Sequence, residues 1–261
     1  MTPRPFVIFC WALTVIATSS CFGAEPGPQA VSVFNAYIAA VESRLAQQHR
    51  SPGAFLGPNV MAPQNNKRLL SGELVIERIS PAAGTALPGS LLHHWRGTAF
   101  IPDAKAASFE RLLKDFDAYP QYFSPEVVKA RLIAQHDDDF QVQMRVRQKH
   151  VITVVLDTTY NVTFGKLDEE HGYSTSRSIR ISDVGSSDAQ RAPDGVLWRL
   201  NTYWSYEQGD GGLYIQIESV SLTPSIPYGL GWAIGPYVES IPRDSLEFTL
   251  RSVCNALRNG K

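Results

Sequence analysis

Between Gln29 and Arg50 the apolar residues Val31, Phe34, Tyr37, Ile38, Val41 and Leu45 recur three and four positions apart, which predicts an amphipathic helix. Ser51 to Asn66 carries Pro52, Gly53, Gly57, Pro58 and Pro63 and reads as a loop. A strand-length run from Glu73 to Ile79 stops at Pro81, and Ala83 to Gly89 makes a second break. Leu91 to Ile101 then predicts a strand. A helix is expected to open at Pro102-Asp103, with Ala107, Phe109, Leu112, Leu113 and Phe116 as its apolar stripe. Strands follow over Val127–Ala134, Phe140–Lys149, Val151–Phe164, Gly172–Val184, Leu197–Tyr206 and Leu213–Leu222. Short polar turns such as Asp137-Asp138-Asp139 and Gly209 to Gly212 join them, so the expectation is an antiparallel meander. The chain closes on a helix from Pro242 to Arg258, with Leu246, Leu250, Val253 and Leu257 on one face and Asn259-Gly260 as its stop.

Side chains along a strand point to opposite faces in turn, so alternation sorts the inward positions. Val142, Met144 and Val146 face in, and Gln143, Arg145, Arg147 and Lys149 face out. The same test turns Ile152, Val154, Leu156 and Tyr160 inward, with Trp198, Leu200, Thr202 and Trp204, and Leu213, Ile215, Ile217 and Ser219. Arg177 shares a face with Ile179 and Ile181, which directs a cation inward. There it is either a polar anchor for a ligand or half of a structural ion pair. Asp157 and Glu218 fall on outward faces.

The order strand, short helix, six-strand meander and long terminal helix resembles the helix-grip fold of the START-like (polyketide cyclase/dehydrase-like, SRPBCC) superfamily over about Leu91 to Leu257. The stretches Trp95 to Pro102, Val151 to Asp157, Leu197 to Trp204 and Ile241 to Phe248 are similar to a group of exported bacterial proteins of uncharacterised activity. The resemblance implies an α+β chain with a cavity between a curved sheet and the last helix, used for lipids, sterols, quinones or polyketides. The wall it implies is Met144, Val146, Val154, Leu156, Tyr160, Arg177, Ile179, Trp198, Leu200, Thr202, Trp204, Ile215, Ile217, Leu246, Leu250 and Val253. The expected role is a carrier for a hydrophobic, lipid-like molecule. The rivals are a cyclase or dehydratase in the same cavity and a solid-cored interaction domain. Outward-facing Asp157 and Glu218 weigh against the enzyme, which would need an acid or base inside.

Phe6 to Ala17 is an apolar run behind Arg4 and ahead of small residues, the layout of a cleavable signal peptide over residues 1–24, which predicts export to a periplasm or the medium. Residues 25–70 then form a helix and linker, and 71–261 the helix-grip domain. Cys10 and Cys21 lie in or beside the leader; Cys254 sits at an apolar helix position and reads as a buried structural thiol. The 261 residues are 44% hydrophobic and carry 24 Lys plus Arg against 25 Asp plus Glu, so a core is available and no overall field draws nucleic acid. His93 and His94 are strand neighbours that point apart, and His136 to Asp139 lacks the Gly and Glu of a calcium loop, so neither metal nor cofactor is expected. Gly229 to Gly235 lacks the strand-loop-helix setting of a nucleotide loop and reads as a flexible approach to the last helix. The outward stripe of Arg145, Arg147 and Lys149 allows a transient membrane contact but reads first as a solvated face. No obligate protein partner is expected.

Overall fold

The computed structural model describes residues 25–79, 85–87, 89–149, 153–184, 197–225 and 231–260. The expected leader with Cys10 and Cys21, together with Val151, Ile152 and Gly229, lies outside them. The chain opens on α1 (Pro28–Gln48), followed by α2 (Pro63–Leu70). The strands are β1 (Val75–Arg78), β2 (Thr85–Leu87), β3 (Ser90–Pro102), β4 (Val127–His136), β5 (Asp139–Lys149), β6 (Thr153–Lys166), β7 (His171–Asp183), β8 (Arg199–Gly209) and β9 (Gly212–Pro224). Two short helices, α3 (Ala106–Lys114) and α4 (Tyr119–Tyr122), join β3 to β4, and α5 (Gly231–Arg258) ends the chain. All pairings are antiparallel, in the order β1-β3-β9-β8-β7-β6-β5-β4 with β2 beside β3. The meander is therefore the predicted one. A curved, unclosed sheet with a long helix along its inner face is the helix-grip arrangement.

Two helix starts differ from expectation. β3 continues through Pro102, and Asp103 turns with a φ of 61°, so α3 begins only at Ala106. Pro102 ends a strand here rather than opening a helix. α5 begins at Gly231, which absorbs the expected flexible approach and leaves Pro242 inside the helix. Proline has no N–H for the residue four back, a local loss; burying Leu246, Leu250 and Val253 offsets it, since tertiary packing outweighs propensity. Asp137 takes a φ of 51° in the β4–β5 hairpin, the solvated turn expected of His136 to Asp139.

Both faces of the sheet carry cover. On the inner face, Ala99 and Ile101 of β3 and Leu213, Ile215 and Ile217 of β9 pack with Leu246, Leu250 and Val253 of α5 and with Phe109, Leu112 and Phe116 from the β3–β4 connection. Gly97 lets the helix approach: a Cβ there would lie 2.6 Å from Leu246 Cδ2 and from Leu250 Cδ1. On the outer face, Ala30, Phe34, Ile38, Val41 and Leu45 of α1 pack on Leu92, Tyr203, Val220 and Leu222. Leu56, Val60 and Leu69 cover Phe100 and Tyr214 alongside. Each large apolar side chain so buried contributes about 1.5–3 kcal/mol before the cost of ordering it, so α1 is an integral layer of the fold.

Candidate functional site

The inner face beneath α5 is the candidate site. Tyr160, Trp204, Ile215 and Ile217 from the sheet meet Leu246, Leu250 and Val253 in one cluster, with Met144 and Leu200 packed against it. Register extends the face: Thr158 lies opposite Met144 and Leu156 opposite Val146, so Val154, Leu156 and Val146 continue the side that holds Tyr160. Thr202 lies opposite Ser219 of β9 and Ser176 of β7, and Ser219 lies opposite Trp95 of β3. Trp95, Ser219, Thr202 and Ser176 thus form a polar row across four neighbouring strands of a mostly apolar surface, with Arg78 of β1 beside Trp95 and over its ring at 4.9 Å.

Three residues expected in this wall are elsewhere. Arg177 Nε donates to Glu42 Oε1 of α1 at 2.6 Å, which places it on the outer face as half of an ion pair. Ile179 is 50% exposed. Both follow from one β-bulge: Thr159 lies opposite Arg180 and Tyr160 opposite Ser178, leaving Ile179 as the extra residue of β7. Beyond it the alternation slips by one, so Ile181 faces inward opposite Thr158 while Arg177 faces outward opposite Asn161. Trp198 lies just before β8, where strand alternation no longer governs it, and packs against the cluster beneath α1.

The inner face is not uniformly buried. Toward α3, Phe109 stands edge-on to Trp204 at 5.3 Å and to Tyr206 at 5.1 Å, and Phe140 bridges Phe116 and Phe164 at 5.4 and 5.5 Å. That end is solid. Toward the other end Trp95, Met144, Val146, Ser176, Leu200, Thr202 and Ser219 are only partly buried, although all belong to the side spanned by the helix. Among the described residues Trp95 Nε1 is buried there without a hydrogen-bond partner, while Arg78 lies over its ring. An unmet buried donor costs about 1–3 kcal/mol, so a donor left open at the rim of an apolar wall is a place for an acceptor. The sequence reading leaves β3 unsorted by face; the alternation of Trp95 with Gly97, Ala99 and Ile101 is the signal that turns it inward. Tyr160 has its phenol pushed up to about 12 by burial and remains a neutral hydroxyl. Cys254 is buried on α5 and its thiol is raised by burial, as its apolar spacing implied.

The outer face holds a buried charge network. Glu218, 1% exposed, receives Arg96 Nε at 2.9 Å and Nη2 at 2.7 Å on one oxygen, and His94 Nε2 at 2.9 Å and Arg44 of α1 on the other. His94 Nδ1 pairs with the Tyr37 hydroxyl at 2.9 Å. Burial alone would raise the Glu218 carboxyl, but the His94 hydrogen bond and the charges of Arg96 and Arg44 win and hold it at about 2. Asp157 is bound by Arg145 at 2.7 and 2.8 Å, also outside. Neither carboxylate reaches the inner face. Among the described residues no three His, Cys, Asp or Glu side chains gather as a metal site.

No family model and no curated protein matches the chain. Similar solved structures include the protein TTHA0849 from Thermus thermophilus, at 14% identity over 64% of this chain and 97% of that one, with a TM-score of 0.49. A STAR-related lipid transfer protein fragment from Xanthomonas axonopodis is 17% identical over 68% of this chain and 98% of its own, with a TM-score of 0.47. The Zhui aromatase/cyclase from a Streptomyces species is 12% identical over 64% and 94%, also at 0.47. The helix-grip arrangement rests on the sheet order and α5 themselves. Fold alone assigns no chemistry, and the geometry of the inner face carries the functional reading.

Proposed function

We propose that the chain is an exported carrier that holds a hydrophobic, lipid-like molecule bearing a hydrogen-bond acceptor between its sheet and α5. The observation that carries this reading is the buried, unpartnered indole N–H of Trp95 on a concave, mostly apolar wall. Trp198 Nε1 and Ser90 Oγ, away from the inner wall, are unpartnered too among the described residues, so the Trp95 donor supports the reading only together with the partly buried polar row beside it, where a carbonyl or hydroxyl oxygen would be received. Ser219, Thr202 and Ser176 extend the polar row, so the ligand's polar group sits across the middle of the sheet and its apolar part lies along Met144, Val146, Leu156 and Leu200. Carriage is favoured over cyclase or dehydratase chemistry because Asp157 and Glu218 both lie on the far side of the sheet. The apolar run at residues 6–17 supports export.

Organic extraction of the purified protein followed by mass spectrometry tests the reading directly, with about one lipid per chain expected. Trp95→Phe sharpens it: losing one hydrogen bond weakens an acceptor-bearing ligand by about five- to tenfold, and because the ring also packs on the core and carries Arg78 at 4.9 Å, thermal denaturation of the ligand-free variant separates that structural loss from the loss of affinity. An empty extract, together with unchanged affinity of Trp95→Phe for every apolar probe, would overturn the proposal. N-terminal sequencing of the exported protein checks the leader, with a start near Glu25 expected.

A further inference from the structure

The outer face divides along the sheet. Over β3, β8 and β9 it lies beneath α1 and the segment after it, whereas over β4, β5 and β6 and the adjoining end of β7 it is exposed and carries almost one sign of charge. Lys129 and Arg145 face each other across β4 and β5, Arg131 and Arg180 lie one row along, and Arg147 and Lys149 continue β5. Two carboxylates share the face: Asp157, bound by Arg145 and also near enough to Lys129 and Arg180 for their charges to lower its carboxyl, and Asp139 at the hairpin end of β5. Lys129, Arg147, Lys149 and Arg180 make no ion pair or hydrogen bond through their side chains among the described residues.

Elsewhere the surface cations are scattered, some paired and others, such as Lys67, Arg111 and Lys166, exposed singly rather than in rows. Lys114 is held by Glu110 and Asp138, Arg251 by Glu247 and Arg68 by Glu73. A face that only needed solubility would mix signs in the same way. Like charges set opposite each other on neighbouring strands are unfavourable; Asp157 relieves part of that cost, and anions lying against the face would relieve the rest. The chain's net charge of -1 provides no general attraction to them, so the contact is local.

Two features decide between anionic partners. A groove of about 450 Å³ opens at these strands, lined on the outer side by Lys129, Arg131, Arg145 and Asp157 and reaching Pro120 and the inward-facing Met144 at the sheet edge, a mainly cationic rim with an apolar component. Around the cations, Ile133, Ile179 and Val184 are 44%, 50% and 45% exposed. Cations interleaved with exposed aliphatic side chains suit a headgroup layer, where phosphates meet the former and the acyl boundary the latter. We infer that the outer face of β4–β7 docks on the surface of an anionic lipid bilayer.

The test is sedimentation of the protein with phosphatidylcholine vesicles and with vesicles in which about a third of the lipid is phosphatidylglycerol. The difference between the two is the readout, because a retained apolar leader would bind both. Preferential binding to anionic vesicles, lost at high salt, is expected. Arg147→Gln with Lys149→Gln should weaken it by about 25-fold, at roughly fivefold per cation, and Lys129→Gln with Arg180→Gln should do the same from the other side of the face. All four side chains are exposed, so circular dichroism should be unchanged. Equal binding to neutral vesicles, or unchanged binding of both paired variants, overturns the inference. So does competition by polyglutamate as effective as that of anionic vesicles, which would assign the face to an acidic protein.

Discussion

Glu218→Gln removes a negative charge from a position that is 1% exposed and surrounded by Arg96, His94 and Arg44. Arg96, itself 4% exposed, would keep only Glu77, whose carboxylate lies 3.3 Å from Nη1 and is half in solvent. Breaking a buried pair from one side costs about 3–5 kcal/mol, because the remaining charge stays desolvated. Linkage gives an independent figure. A carboxyl held at about 2 against an ordinary 4.5 adds about 3 kcal/mol of stability. Because the folded value is depressed, that contribution is fully present above pH 4.5 and is lost as the pH falls toward 2. Urea unfolding followed by tryptophan fluorescence should therefore show Glu218→Gln less stable by about 3 kcal/mol at neutral pH, with the gap from the parent narrowing by about 2 kcal/mol at pH 3. Taking the difference between the two proteins cancels the other carboxylates. A gap under about 1 kcal/mol at neutral pH, or one that does not change on acidification, would refute the argument that the network stabilises through the Glu218 charge.

Gly97→Ala should cost about 1–3 kcal/mol by thermal denaturation, since its Cβ meets Leu246 and Leu250 at 2.6 Å and the helix must shift. His49 stacks on Tyr173 at 4.4 Å and pairs with Ser205 at 2.7 Å, and burial pushes its imidazole down to about 4. NMR titration should place its midpoint near pH 4, with its stabilising effect present above pH 6.5 and lost on acidification toward 4, and His49→Gln should remove that component. Arg177→Ala should cost at most about 1 kcal/mol, because its pair with Glu42 is partly exposed, and should leave ligand affinity unchanged in a fluorescence titration. A large loss of affinity would return Arg177 to the interior.

Legibility in the sequence follows how many faces of an element are buried. β5 and β6 alternate cleanly because their outer faces meet water, and there Met144, Val146, Leu156 and Tyr160 were correctly turned inward. β3 is buried almost continuously, pressed between α5 and the α1 layer, so its polar outward residues His94, Arg96 and Thr98 are as hidden as its inward ones. Alternation there says which residues share a face but not that both faces are closed. The misplacement of Arg177 and Ile179 has a different origin: a bulge shifts parity by one residue, and nothing in Ser176 to Ile181 marks where the extra residue falls. Pro242 misled by a third route, since a proline that suits a first turn was tolerated within a helix whose other face is buried.

The double cover of β3, β8 and β9 also constrains where ligand and surface contacts can arise. α1 and the buried Glu218 network lock the outer side of these strands, so their inner side can give up some packing, as at Trp95, Thr202 and Ser219, without opening the fold. β4–β7 lack that cover and keep their outer side for an external contact. Val146 and Leu156 on the inner side stand beside Arg147 and Val155 on the outer side of the same two strands, so the partly buried end of the interior borders the cationic face. A bilayer held on that face would therefore lie close to the edge at which an apolar ligand enters or leaves. If the two roles are coupled in this way, Arg147→Gln with Lys149→Gln should slow ligand transfer to anionic vesicles while leaving affinity for a soluble apolar probe unchanged. Equal transfer rates in the parent and the variant would separate docking from carriage.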